Sequence, residues 1–301
     1  MTTIHRIVTT LASAFAAAAA ASAGLPFLPE TAPDKPAVAE IQLVPGRLMP
    51  LVKCKVEGRD AVLLFDTGAT HTTFDVGFVK RTLPDAKFEK VLLGGVTNVA
   101  GEPSLFHVSS LKVGEAEFGN FDAMALDLSH LAPGMAGRID GVLGMNVIGR
   151  VATVVSLGSR RVVFSPGNDV RGRFGKMAVR RRDDPFSVAI DSAVGEKKFT
   201  LIVDSASSFT FLDAALGWPS TGRKEAFGTL DVNGGGGISA ERGEPGELAL
   251  GESVRIAPLL VRTPMNRIGA DTLLKYDMLV DFGRVGFCKA SVPKTEGKTE
   301  K

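Results

Sequence analysis

Twice in 301 residues the chain runs through an apolar stretch into an aspartate followed by a hydroxyl residue. The first run is Ala61-Val62-Leu63-Leu64-Phe65-Asp66-Thr67-Gly68-Ala69-Thr70; the second is Leu201-Ile202-Val203-Asp204-Ser205-Ala206-Ser207-Ser208. Each reads as a buried strand that ends in a carboxylate. The lead-ins agree as well. Val56-Glu57-Gly58-Arg59 and Val194-Gly195-Glu196-Lys197 read as hairpin turns. The strands before them alternate: Val52, Cys54 and Val56 against Lys53 and Lys55, then Phe186, Val188 and Ile190 against Ser187 and Asp191. Further on, Gly101-Glu102-Pro103 recurs as Gly243-Glu244-Pro245, and Leu111-Lys112-Val113-Gly114 as Leu248-Ala249-Leu250-Gly251. Leu143-Gly144-Met145-Asn146 recurs as Ile268-Gly269-Ala270-Asp271, and Arg161-Val162-Val163-Phe164 as Arg284-Val285-Gly286-Phe287. Two copies are too few for a solenoid. They predict a duplicated β domain whose halves face each other across a pseudo-twofold axis.

Two carboxylates a few ångströms apart do not both ionise easily, so they share a proton. The ionised one draws a proton from water while the other hydrogen-bonds a carbonyl. Thr67 and Ser205 are expected to tie the two loops together through their hydroxyls. Gly68 lets backbone come close to the carboxylate without a Cβ in the way. The plain alternative for one Asp-Thr-Gly is a β-turn with Asp and Gly in turn roles; the internal repeat weighs against it. Other chemistries find no pattern. There is no His-Glu-x-x-His and no Gly-x-Ser-x-Gly. His71, His107 and His130 are too scattered for a metal cluster, and His71 reads as a surface or half-buried residue. Gly234 to Gly237 reads as a hairpin tip, not a phosphate loop.

With Asp66-Thr67-Gly68-Ala69-Thr70-His71-Thr72 followed by Asp140-Gly141-Val142-Leu143-Gly144-Met145-Asn146-Val147-Ile148, the first half resembles the retropepsin-like aspartyl protease domain found in many bacteria. The second half resembles the C-terminal lobe of pepsin at Ile268 to Tyr276, Val280-Asp281-Phe282-Gly283 and Arg284-Val285-Gly286-Phe287. The resemblance spans Leu48 to Ala290. It implies an all-β, bilobal, pepsin-like acid protease fold built from two duplicated retropepsin-like lobes. It implies an aspartic endopeptidase, a hydrolase whose water is activated by Asp66 and Asp204 in the interlobe cleft. Thr67, Gly68, Ser205 and Ala206 would shape the catalytic loops, and Gly94, Gly95 and Val96 a substrate-binding flap, with a second flap at 232–239. An apolar-apolar-Gly segment threads behind each loop in this family. Val142-Leu143-Gly144 fits it, while Ile268-Gly269 is preceded by Arg267. The implied partner is a peptide or protein substrate, with no metal or organic cofactor, and the enzyme would be a monomer. Ala206 stands where the family has Gly; its methyl is expected to crowd the water or shift Asp204. A catalytically weakened pseudoprotease acting as a peptide-binding protein is therefore the alternative. Ala69 stands where pepsin has a hydroxyl, with Ser207 at the matching place in the second half. Losing a hydrogen bond to the charged form raises a carboxyl pKa, which predicts an activity optimum less acidic than pepsin's.

Residues 1–23 read as a secretory signal peptide: a short basic start, an apolar run to Ala21, and the Ala21-Ser22-Ala23 cleavage pattern. The run is short for a membrane span, so an exported protein, periplasmic or secreted, is expected, with no stable membrane anchor after cleavage. Residues 24–44 read as an extended segment, 45–168 as the N-terminal lobe, 169–184 as a solvated basic linker, 185–291 as the C-terminal lobe and 292–301 as a disordered tail. A net charge of +2 makes no case for nucleic acid. Short helices are expected after each half-site, around Phe74 to Val79 and over Phe211 to Leu216. Cys54 and Cys288 are the two cysteines; they read as buried thiols, with a bridge between the chain ends as the alternative.

Overall fold

A computed structural model describes residues 6–9, 28–44, 48–90, 104–131, 139–167, 169–179, 188–231, 234–262, 265–281 and 283–290. The protein is all-β. Among the described residues the first half builds a ten-stranded sheet and the second an eight-stranded one, whose edge takes in Arg6–Thr9 beside Ser220–Asp231.

The hairpins arise from alternation and turn chemistry. Pro50–Val56 buries Val52, Cys54 and Val56 and exposes Lys53 and Lys55, as a period of two requires. The chain turns at Glu57 and Gly58, both at positive φ (49° and 75°), the pattern of a type I′ turn. It returns as Arg59–Phe65. In the second half Ala189–Val194 returns as Lys197–Val203 through Gly195 at φ 58°. A second pair of hairpins repeats the device. Leu111–Val113 with Ala116–Phe118, and Gly246–Leu250 with Glu252–Ile256, each turn at a positive-φ glycine, Gly114 or Gly251.

Behind each aspartate runs a parallel strand. Gly141–Leu143 lies along Arg59–Phe65 with Val142 opposite Leu64, and Arg267–Ile268 lies along Lys197–Val203 with Arg267 opposite Ile202. Each strand leaves through a glycine, Gly144 or Gly269, into one helical turn, Met145–Ile148 or Ala270–Leu273.

The halves also share a sheet. The hairpin Ala152–Ser156/Arg161–Ser165 and the hairpin Tyr276–Asp281/Arg284–Lys289 join where Thr153, Val154 and Val155 pair with Val280, Leu279 and Met278. Ala37–Glu40 closes one edge and Ala178–Val179 the other. One apolar core runs from Phe65, Phe74 and Phe118 through Phe164 to Val203 and Phe287, all buried.

Three expectations need correction. The helix expected over Phe211 to Leu216 is a strand, Phe211–Asp213, and then a single 3-10 turn, Ala214–Leu216. Phe211 and Leu212 are fully buried and pair with Leu259 and Leu260, so sheet burial overrides local helix propensity. The turn is capped by the Asp213 carboxylate, as Asp75 caps the helix Val76–Thr82 in the first half. Gly234 to Gly237 pair with Asp231 to Gly228; they extend a long hairpin, and do not form its tip. The basic linker is anchored at one end: Arg171 and Arg173 form ion pairs with the buried Asp281 and Asp277 of the shared sheet.

Both cysteines are free. Cys54 is buried with its Sγ donating to the Ala61 carbonyl (3.6 Å). Burial, with the charges of Asp140 and Asp60 beside it, pushes its thiol up to about 12. Cys288 is partly exposed. A thiol reagent at neutral pH should therefore label Cys288 quickly and Cys54 only after denaturation, since the thiolate is the reactive form. Fewer than two free thiols in the denatured, unreduced protein would show a bridge instead.

Candidate active site

Asp66 and Asp204 end the two buried central strands and are themselves fully buried. Each turns its carboxyl back onto its own loop. Asp66 Oδ1 accepts from the amides of Gly68 (2.7 Å) and Ala69 (3.1 Å). Asp204 Oδ1 accepts from those of Ala206 (3.0 Å) and Ser207 (2.9 Å). The Asp204 carboxyl lies against the first loop. A Cβ at Gly68 would stand 2.7 Å from Cγ of Asp204, closer than non-bonded carbons approach, so no side chain fits there. Ala206 occupies the matching place in the second loop with its methyl buried beside Leu64 and Val142, and the hydrogen bonds to Asp204 persist.

Thr67 and Ser205 hold the loops together reciprocally. The Thr67 amide donates to Ser205 Oγ (3.1 Å) and the Ser205 amide to Thr67 Oγ1 (3.0 Å). Each hydroxyl then donates across to the other half: Thr67 Oγ1 to the Val203 carbonyl (2.8 Å), and Ser205 Oγ to the Phe65 carbonyl (2.8 Å). All four bonds are buried, so each polar group here depends on the opposite half.

A second layer repeats with the same fidelity. The amide of Asp66 donates to the Leu143 carbonyl (3.1 Å), and that of Asp204 to the Ile268 carbonyl (2.9 Å). Thr72 donates through its amide and hydroxyl to Asn146 Oδ1 (2.7 and 2.9 Å). Thr210 does the same to Asp271 Oδ1 (2.9 and 2.7 Å). The amides of Gly144 and Gly269 donate to the Thr72 and Thr210 hydroxyls, each at 3.1 Å. A Cβ at Gly144 would meet the His71 carbonyl carbon at 2.4 Å, and one at Gly269 the Phe209 oxygen at 2.3 Å; the close crossing needs glycine.

The outer oxygens break the symmetry. Asp204 Oδ2 accepts from Nη1 of Arg267 at 2.8 Å, and the arginine side chain is itself only 8% exposed. Asp66 Oδ2 is buried with no hydrogen-bond partner among the described residues. Burial, and then the neighbouring Asp204 charge, raise the Asp66 carboxyl well above the ordinary carboxylate range. Burial pushes Asp204 up too, but Arg267 and the Ser207 and Ala206 amides oppose it. The positive charge of Arg267 on Asp204 makes the two acids electrostatically unequal.

The structure thus brings together Asp66, Thr67, Gly68, Asp204, Ser205 and Ala206. Gly94, Gly95 and Val96 lie outside the described residues. The Ser207 hydroxyl, expected to donate to the second carboxylate, donates instead to the Phe209 carbonyl (2.8 Å); its amide serves Asp204, and Arg267 takes the outer oxygen. His71 is buried, with Nδ1 2.8 Å from the Thr70 hydroxyl. Sequence reasoning missed the role of Arg267. A charge in a segment that is otherwise apolar-apolar-Gly was the available signal.

Residues 52–147 match the family model described as aspartyl protease. The match takes in Asp66-Thr67-Gly68 and Val142-Leu143-Gly144 and ends before the second half begins. No curated protein matches the chain.

The Thr67–Ser205 lattice carries a stability cost if opened. Thr67→Val keeps the shape, but strips the Val203 carbonyl and the Ser205 amide of their partners. Two buried orphans at roughly 1–3 kcal/mol each should lower the unfolding free energy by about 2–6 kcal/mol. Urea unfolding should show this as a lower midpoint at unchanged slope. Gly68→Ala should be at least as harmful, and Ala206→Gly nearly neutral.

Proposed function

We propose that the chain is an aspartic endopeptidase whose two halves each supply one catalytic carboxyl, Asp66 and Asp204. The observation that carries this reading is the pairing of two buried carboxyls by loops cross-bonded through Thr67 and Ser205. The match to an aspartyl protease model over the first half supports it. Asp66, holding the proton, donates to the carbonyl oxygen of the scissile peptide. Asp204, as the carboxylate, takes a proton from water as the water oxygen adds to the carbonyl carbon. The gem-diol intermediate then collapses: one hydroxyl returns its proton to Asp66 as the carboxyl C=O forms, the C–N bond breaks, and the leaving nitrogen takes up the proton gained by Asp204. Thr67, Gly68, Ser205 and Ala206 keep the loops in register, and the Gly94-Gly95-Val96 segment serves as flap.

The substrate is a peptide or protein bound in extended form between the halves. The enzyme works as a monomer in an exported compartment, after a leader ending at Ala23 is removed. That cleavage would also take away the edge strand Arg6–Thr9.

Asp66→Asn and Asp204→Asn should each lower kcat on a denatured protein substrate by at least about 100-fold with the fold intact. Specific activity should not change on dilution. An active Asp204→Asn enzyme would sink the intramolecular pair. No wild-type cleavage, with tight binding of a statine-type peptide, would favour a peptide-binding pseudoprotease.

The pH dependence follows from the proton's place. The competent form has Asp66 protonated and Asp204 ionised. Because the Asp66 carboxyl is raised, activity should persist as pH climbs past the ordinary aspartate value of about 4, falling only when Asp66 ionises. A kcat/KM profile confined to strongly acidic pH would contradict this.

A further inference from the structure

The duplication makes one residue conspicuous. Arg267 and Val142 hold equivalent places, each two residues ahead of the glycine behind its loop and each opposite the residue two before the aspartate. Val142 packs with Leu64, Leu126 and Ala206. An apolar side chain is therefore sufficient for this position in one half. In the other half stands a buried guanidinium that reaches Asp204 Oδ2 at 2.8 Å, while its Nε is buried without a partner among the described residues. Stability gives no reason for it. A buried ion pair seldom outperforms apolar packing of the same volume, and an unsatisfied donor adds a further cost.

We propose that Arg267 assigns the two aspartates different roles: it holds Asp204 as the carboxylate and leaves the shared proton on Asp66. Without it, the pair is symmetric in its first contacts, since each inner oxygen accepts from two loop amides. A fixed positive charge on one outer oxygen makes one of the two protonation states lower in energy. Two other titratable groups among the described residues have partners of their own. Asp271 takes both donors of Thr210, and His71 bonds the Thr70 hydroxyl. The charges acting most strongly on the pair are thus its own and that of Arg267. Arg267 is a positioning residue: its role is argued through its contact with Asp204. Its kinetic consequence rests on the peptidase reading; its effect on ionisation does not.

The ionisation can be followed directly by carbon-13 NMR of aspartate carboxyls across pH, with signals assigned through Asp66→Asn and Asp204→Asn. In the wild type Asp204 should lose its proton at lower pH than Asp66. In Arg267→Leu the Asp204 transition should move up by at least about one pH unit. Arg267→Lys, which keeps the charge, should stay nearer the wild type. A merely structural arginine would alter stability and leave these transitions in place. An unmoved Asp204 transition in folded Arg267→Leu, or Asp66 ionising first in the wild type, would overturn the proposal. If Arg267→Leu does not fold, the wild-type order and the Lys variant decide it. In peptidase assays the acid limb of kcat/KM should follow the Asp204 transition. The expected titrations in a wild type that cleaves nothing would defeat the peptidase reading and leave the arginine's role standing.

Discussion

Two carboxyl groups buried side by side form the constraint around which this protein is arranged. Removing one ionised group from water costs several kcal/mol even after relaxation, and a single neutral hydrogen bond returns about 1 kcal/mol. The protein meets the difference in three ways. On the proposed reading the pair carries one proton, so only one of its two carboxyls is ionised. Four loop amides point at the inner oxygens. A guanidinium sits on one outer oxygen. None of this works unless the loops are held against each other, which is the task of Thr67 and Ser205.

Duplication supplies most of that scaffold, and its departures from symmetry fall around the two acids. Thr72 with Asn146 and Thr210 with Asp271 are equivalent down to a few tenths of an ångström. Gly68 and Ala206 are not equivalent, because the Asp204 carboxyl fills the space a methyl would need on the first loop. Val142 and Arg267 differ outright. Both departures lie within the immediate surroundings of the acids, where two identical halves would leave the proton undecided.

Much of this arrangement is legible in the residues. The hairpins at Glu57-Gly58 and Gly195 announce themselves through alternation and turn glycines. Asp66, Thr67, Asp204 and Ser205 stand out because a strand-to-carboxylate phrase occurs twice. Most of what local pattern could not disclose depends on distant neighbours. Phe211 and Leu212 read as helix until Leu259 and Leu260 pair with them. The run of arginines after Asn168 reads as solvated until the buried Asp277 and Asp281 are placed beneath Arg171 and Arg173. The Ser207 hydroxyl reads as a carboxylate donor until the Phe209 carbonyl proves nearer to hand. In the first two cases a long-range contact outweighed a local preference; in the third the competing acceptor lies only two residues along the chain.

The sheet shared by the two halves bears on when the protein becomes competent during its own synthesis. Tyr276–Asp281 pairs on one side with Ala152–Ser156 and on the other with Arg284–Lys289, the last described strand of the chain. A nascent chain can finish its first ten-stranded sheet while Asp204 is still unmade, and can make Asp204 before the joining strands exist. Contacts of such long sequence separation close late and slowly. A product cut short before the C-terminal hairpin therefore lacks the strands that join the halves, and on the peptidase reading its bond-breaking capacity waits for that hairpin.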